Sequence, residues 1–103
     1  MNRFGMQAKV TAQAGHRDAV VEHLLEASRL LTTLPGCELY VISIVPSEPD
    51  AIWVFEAWRS EADHDASLQV DSIKALIARA KPLIAGFENI RLIPLGGKGL
   101  PNA

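Results

Sequence analysis

The chain holds 103 residues, 49% of them apolar and 21% charged, and its ten basic and twelve acidic side chains leave a formal net charge of -2. That length is expected to form one domain, and the composition is that of a folding chain, not a disordered one. With no basic surplus to collect phosphates, nucleic acid is not an expected partner. The apolar share is high for a small domain, which hides only part of its surface on folding. The single cysteine, Cys37, has no thiol to pair with, so a reducing, cytoplasmic setting is the simplest expectation. The opening MNRFGMQAKVTAQAG alternates apolar with polar and carries no apolar signal core. No stretch approaches the roughly 18 to 20 apolar residues of a membrane span, so no membrane partner is expected.

Phe4, Met6, Ala8, Val10 and Ala12 alternate with polar residues through Gln13 and predict a first strand. After Gly15, a stripe of Val20, Leu24, Ala27, Leu31 and Leu34 predicts an amphipathic helix, with Asp18 in its first turn and Pro35-Gly36 as its stop. Cys37–Val45 and Ala51–Arg59 read as two strands around the turn Pro46-Ser47-Glu48-Pro49-Asp50. Ser60, three residues before Asp63, caps a second helical region, which Asp71-Ser72 can divide by recapping. Its apolar side is Leu68, Ile73, Leu76, Ile77 and Ala80, and Pro82 and Gly86 are expected to close it. Phe87–Leu95 reads as the last strand.

Strand, helix, strand, strand, helix, strand is the split βαβ order of an α+β, ferredoxin-like fold, with an antiparallel sheet and both helices on one face. The expected domain spans residues 1–95, with 96–103 as a flexible tail. Two helices cover one face of the sheet. The third strand turns Ile52, Val54, Glu56 and Trp58 to one side and Trp53, Phe55 and Ala57 to the other. An open face bearing Trp53 and Phe55 predicts a homodimer, sheet against sheet.

Glu56 and Trp58 share a face, and His64 follows the Ser60 cap. An aromatic wall, a carboxylate and an imidazole suffice for an apolar pocket that moves a proton. Each has a plainer reading: Trp58 as core packing, Glu56 as a structural hydrogen-bond acceptor, His64 as a solvated helix-end residue. His16 and His23 stand seven apart, but no Cys or acidic cluster completes a metal set, and none is expected. Cys37 reads as an inert thiol. No phosphate-binding glycine loop and no nucleophile elbow occurs; Gly96-Gly97-Lys98-Gly99 has no helix after it.

Pro35-Gly36-Cys37, Ile52-Trp53-Val54-Phe55-Glu56-Ala57-Trp58 and Ser60-Glu61-Ala62-Asp63-His64-Asp65-Ala66-Ser67-Leu68 together resemble the antibiotic biosynthesis monooxygenase family, over roughly Phe4 to Leu95. The resemblance implies a dimeric α+β barrel and an oxidoreductase that uses no flavin, haem or metal. A bound quinol or polyphenolic aromatic would lose a proton, and its anion would reduce molecular oxygen directly. Trp58 would then wall the pocket, His64 accept the proton and Glu56 orient its neighbours, with Val54, Ser67 and Leu68 against the substrate. Where many members carry a His further along the helix, this chain has Ser67. Ala8 and Leu68 stand where haem-degrading relatives place an Asn and a His, so haem degradation is disfavoured. Val54 stands where anthrone oxygenases place an Asn. The alternative class is a non-catalytic or isomerase-type dimeric barrel that binds a small apolar metabolite, with Glu56 and Trp58 as lining only.

Overall fold

A computed structural model describes residues 2–101 of the chain. They form β1 (Phe4–Ala12), α1 (Arg17–Leu31), β2 (Cys37–Ile44), β3 (Ala51–Trp58), α2 (Glu61–Ser67), α3 (Asp71–Ala80) and β4 (Ile84–Leu92), with a 3-10 turn at Lys81–Leu83 before β4. The strands make one antiparallel sheet in the order β2-β3-β1-β4. This is the expected ferredoxin-like α+β arrangement. Met1 of the expected domain, and Asn102 and Ala103 of the expected tail, lie outside the described residues.

The period of two in β1 is why the sheet has a buried side: Phe4, Met6, Ala8, Val10 and Ala12 are all buried. Two apolar clusters occupy this side. One gathers Phe4, Met6, Leu31, Trp58 and Ile73 around the fully buried indole; the other gathers Val10, Ala12, Val20, Ile52 and Val54. α1 therefore runs along β1 with its Leu31 end over Phe4 and its Val20 end over Val10. Each large side chain buried in this way contributes about 1.5–3 kcal/mol.

The boundaries differ from expectation in three places, each for a local reason. α1 ends at Leu31, short of Pro35, and the Thr32 and Thr33 hydroxyls donate back to the carbonyls of Arg29 and Leu30. Asp71 and Ser72 do not recap by side chain; the break falls at Leu68–Val70, and Asp71 is already the first residue of α3. Gly86 does not close the second helical region but pairs with Thr11 inside β4, which starts at Ile84 directly after the Pro82 turn and stops at Leu92. Pro94, lacking an N–H, cannot extend the ladder. It folds over Gly5, where a Cβ would stand 2.9 Å from the proline ring.

The other side of the sheet carries Trp53 and Phe55, half-buried, beside exposed Val41, Ile90 and Leu92. Lys9 lies over the Trp53 ring with its Nζ 5.9 Å from the centroid. Arg3 donates from Nε to Glu38 at 2.8 Å and from Nη2 to the carbonyl of Pro101.

The turn ahead of β2 fixes the start of α2. The Arg59 N–H donates to the Gly36 carbonyl at 2.8 Å, Arg59 Nε donates to Asp63 Oδ2 at 2.8 Å, and Ser60 Oγ accepts from the Asp63 N–H at 3.1 Å, the expected cap. A Cβ on Gly36 would stand 2.5 Å from the Asp63 Cβ, so only glycine lets the turn lie this close. Gly36→Ala is expected to destabilise the domain by about 1–3 kcal/mol, the usual range for overpacking. A lower urea midpoint at an unchanged slope would register it.

Candidate functional site

Between the helix-covered side of the sheet and the helices lies a cavity of about 420 Å³. Space exists there because facing positions are short: Ala27 of α1 and Ala80 of α3 both line it, where leucines would fill it. Leu24, Leu31, Ile73, Leu76, Ile77, Ile84 and Phe87 make most of the wall apolar. A few polar groups converge on one end.

There the two-residue strand spacing puts Glu56 and Trp58 side by side, and the Trp58 Nε1–H donates to Glu56 Oε1 at 2.8 Å. α2 brings His64 to the same oxygen, with Nε2 at 3.5 Å. His64 is buried; its ring lies 4.6 Å from the Phe4 ring and edge-on to Trp58 at 5.7 Å, centroid to centroid. On its outer side, Nδ1 stands 3.0 Å from Asp65 Oδ1. Each ring nitrogen thus faces a carboxylate oxygen.

Burial pushes the Glu56 carboxyl above its ordinary value of 4.5, against the Trp58 hydrogen bond and the His64 ring, both of which pull it down. Tyr40 pairs with Glu56 across β2 and β3 and lines the cavity. Burial, then Glu56 and Cys37, raise its phenol well above the usual range, so it stays a hydroxyl. Burial, then Glu56, likewise raise the Cys37 thiol. That suits an inert sulfur, not a nucleophile.

Glu56, Trp58, His64, Ser67 and Leu68 all line the cavity, although they come from a strand and a helix with different periods. The Ser67 hydroxyl donates to the His64 carbonyl at 2.6 Å. Val54 sits in the second apolar cluster and is not among the lining residues. His23 lines the cavity and His16 is exposed at the start of α1; among the described residues no three His, Cys, Asp or Glu side chains form a group able to hold a metal ion. Sequence reasoning missed Tyr40, Asp65 and Phe4. Of these, only Asp65 had a usable signal, its adjacency to His64; Tyr40 depends on strand register, which shifts between Cys37 and Leu39.

A ferredoxin-like α+β domain with an apolar cavity and a carboxylate–imidazole–indole cluster at one end is the class of protein that fold and site define. The chain belongs to the antibiotic biosynthesis monooxygenase family, whose model matches residues 3–79. A crystal structure from Chloroflexus aurantiacus J-10-fl, described as a candidate antibiotic biosynthesis monooxygenase, is 39% identical over 96% of this chain and 99% of its own, with a TM-score of 0.88. A Caulobacter crescentus CB15 protein described in the same way is 21% identical, covers 92% of each chain and gives a TM-score of 0.85. One from Bacteroides thetaiotaomicron VPI-5482 is 14% identical, over 94% of this chain and 93% of its own, also at 0.85. The last two share the fold. None of the curated proteins matches the chain. No helix among the described residues is long and apolar enough to cross a membrane.

A carboxyl whose folded value is raised adds stability below its ordinary value of 4.5 and loses it as pH rises through the raised value. Glu56→Gln keeps an acceptor for Trp58 and removes the charge. Thermal melts should therefore show Tm raised by a few degrees at pH 7, the scale on which about 1 kcal/mol moves a domain of this size. Near pH 4 the variant and the wild type should melt together.

Proposed function

We propose that the protein is a cofactor-independent monooxygenase that oxidises a quinol or polyphenolic aromatic with molecular oxygen. The observation that carries this reading is His64 Nε2 beside the half-buried Glu56 carboxyl, at the polar end of an apolar cavity, in a chain of this family. The ring of the substrate lies against Trp58 and Leu68. His64 Nε2 takes the proton of its hydroxyl, and the imidazolium so formed is held between Glu56 and Asp65. The Tyr40 hydroxyl, kept protonated, is a donor for the substrate anion. One electron passes from that anion to dioxygen, the radical pair joins as a peroxide anion, and the His64 imidazolium returns its proton to give the hydroperoxide. Loss of water then leaves one oxygen atom on the substrate. In balance, RH2 and O2 give R=O and H2O, so no outside reductant is consumed. The apolar wall keeps bulk water from the anion.

The apolar open side of the sheet, bearing Trp53, Phe55, Val41 and Ile90, supports a homodimer closed sheet on sheet. The unpaired Cys37 supports a cytoplasmic setting.

Purified protein given menadiol or an anthrone, with no added cofactor, should consume oxygen faster than the buffer alone. His64→Ala should lower that rate by about 10²-fold or more while the far-ultraviolet circular dichroism is kept. Unchanged turnover in that variant would remove His64 as the base. Tight binding with no uptake across several quinols would return the site to a binding role. Light scattering should give about twice the 11.2 kDa of one chain. Trp53→Asp should shift the mass toward one chain, because a carboxylate buried without a partner is costly.

A further inference from the structure

The cavity has a second polar end. Glu56 stands opposite Met6 of β1, whereas Phe87 and Gly86 stand opposite Val10 and Thr11. Those positions lie roughly 13–17 Å farther along the strand. Two cationic or basic side chains line the cavity there. Lys81 comes from the turn that leads into Ile84, the partner of Ala12. His23 comes from α1, next to Leu24, which packs on the Val10 and Ala12 cluster. Apolar side chains, Ala27 and Ile77 among them, make up most of the remaining wall.

Lys81 is also uncommitted. Nearby Arg79 holds Glu26 at 2.6 Å, but Lys81 is in no ion pair among the described residues. Its four-carbon stem is flexible, and its ammonium is a point charge suited to any oxyanion.

We propose that Lys81, with His23 of α1, selects substrates that carry an anionic group, such as a carboxylate, at the end of the molecule remote from the reacting hydroxyl. The proposal rests on the functional reading above to the extent that the hydroxyl end sits at Glu56 and His64. A neutral aromatic leaves the charged end of the cavity without a partner. An aromatic acid of two fused rings, its hydroxyl at the imidazole, directs its carboxylate toward the Lys81 end, where the flexible stem can come to meet it. The selection is electrostatic and close to solvent, so it weakens as salt rises.

The test uses two probes of one ring system, 2-naphthol and 6-hydroxy-2-naphthoate, titrated by calorimetry at low salt into wild-type protein and Lys81→Gln. The variant should bind the naphthoate about fivefold more weakly, the size of a solvent-near ion pair, and 2-naphthol within twofold of wild type. Lys81→Glu should widen the loss for the naphthoate alone. Equal losses for both probes, no loss for either, or no binding of the naphthoate to wild type would each overturn the proposal. Oxygen uptake separates it from the reaction: a naphthoate-selective loss with no uptake from any quinol keeps the anion site and removes the monooxygenase. Quinol turnover without a selective loss does the reverse.

Discussion

One carboxylate oxygen, Glu56 Oε1, organises the candidate site. It accepts the indole N–H of the fully buried Trp58 and faces the His64 ring at 3.5 Å. A buried carboxyl without partners, or a buried indole N–H without an acceptor, costs free energy that a domain of this size has little to spare for. Each group therefore needs the other, and the strand spacing of two makes the pairing automatic. Since Trp58 is also the centre of the first apolar cluster, the polar contact is anchored by the packing of Phe4, Met6, Leu31 and Ile73 around it. His64 is set from a different direction, through the Ser60 cap and the Gly36 contact that fix where α2 begins.

The two sides of the sheet solve different problems. On the helix-covered side, large residues fill both ends of the core while Ala27 and Ala80 hold a space open between them. An apolar space with polar groups only at its extremities orients a ligand by its ends, because the middle of the wall offers no competing hydrogen bonds. On the other side, the aromatic residues of β3 lie beside charged neighbours such as Lys9, and the segment after β4 turns back over Gly5 and toward Arg3.

Much of the fold was legible because it rests on periodicity. The alternation in β1, the Ser60 cap and the Pro-rich turn before Ala51 each state a local rule that tertiary packing does not override. Glu56 and Trp58 could be placed on one face for the same reason, and His64 could be put near them because its helix starts immediately after their strand. The misses have physical causes as well. β4 began early because Pro82 ends one helix type in a 3-10 turn, and nothing in the apolar run Ile84–Phe87 marks where an extended chain begins. The place of Tyr40 depended on a register shift in β2, and that of Val54 on where the alanines leave room. Both are properties of two segments together, not of either alone.

The sheet order also dictates how the molecule must come together in time. β1 sits at the centre, and both of its neighbours are distant in sequence: it pairs with Ala51–Trp58 on one side and with Ile84–Leu92 on the other. Among the described strands, β2 and β3 alone form a local hairpin. Closing loops of that length precedes any reward from the central ladder, which slows such topologies relative to helical bundles of their size. During synthesis, β1 emerges ahead of the other three strands yet waits for β4 before its second edge is covered. The wall that Ile84 and Phe87 supply is thus the last to arrive, and the ligand site is complete only when the final strand has docked.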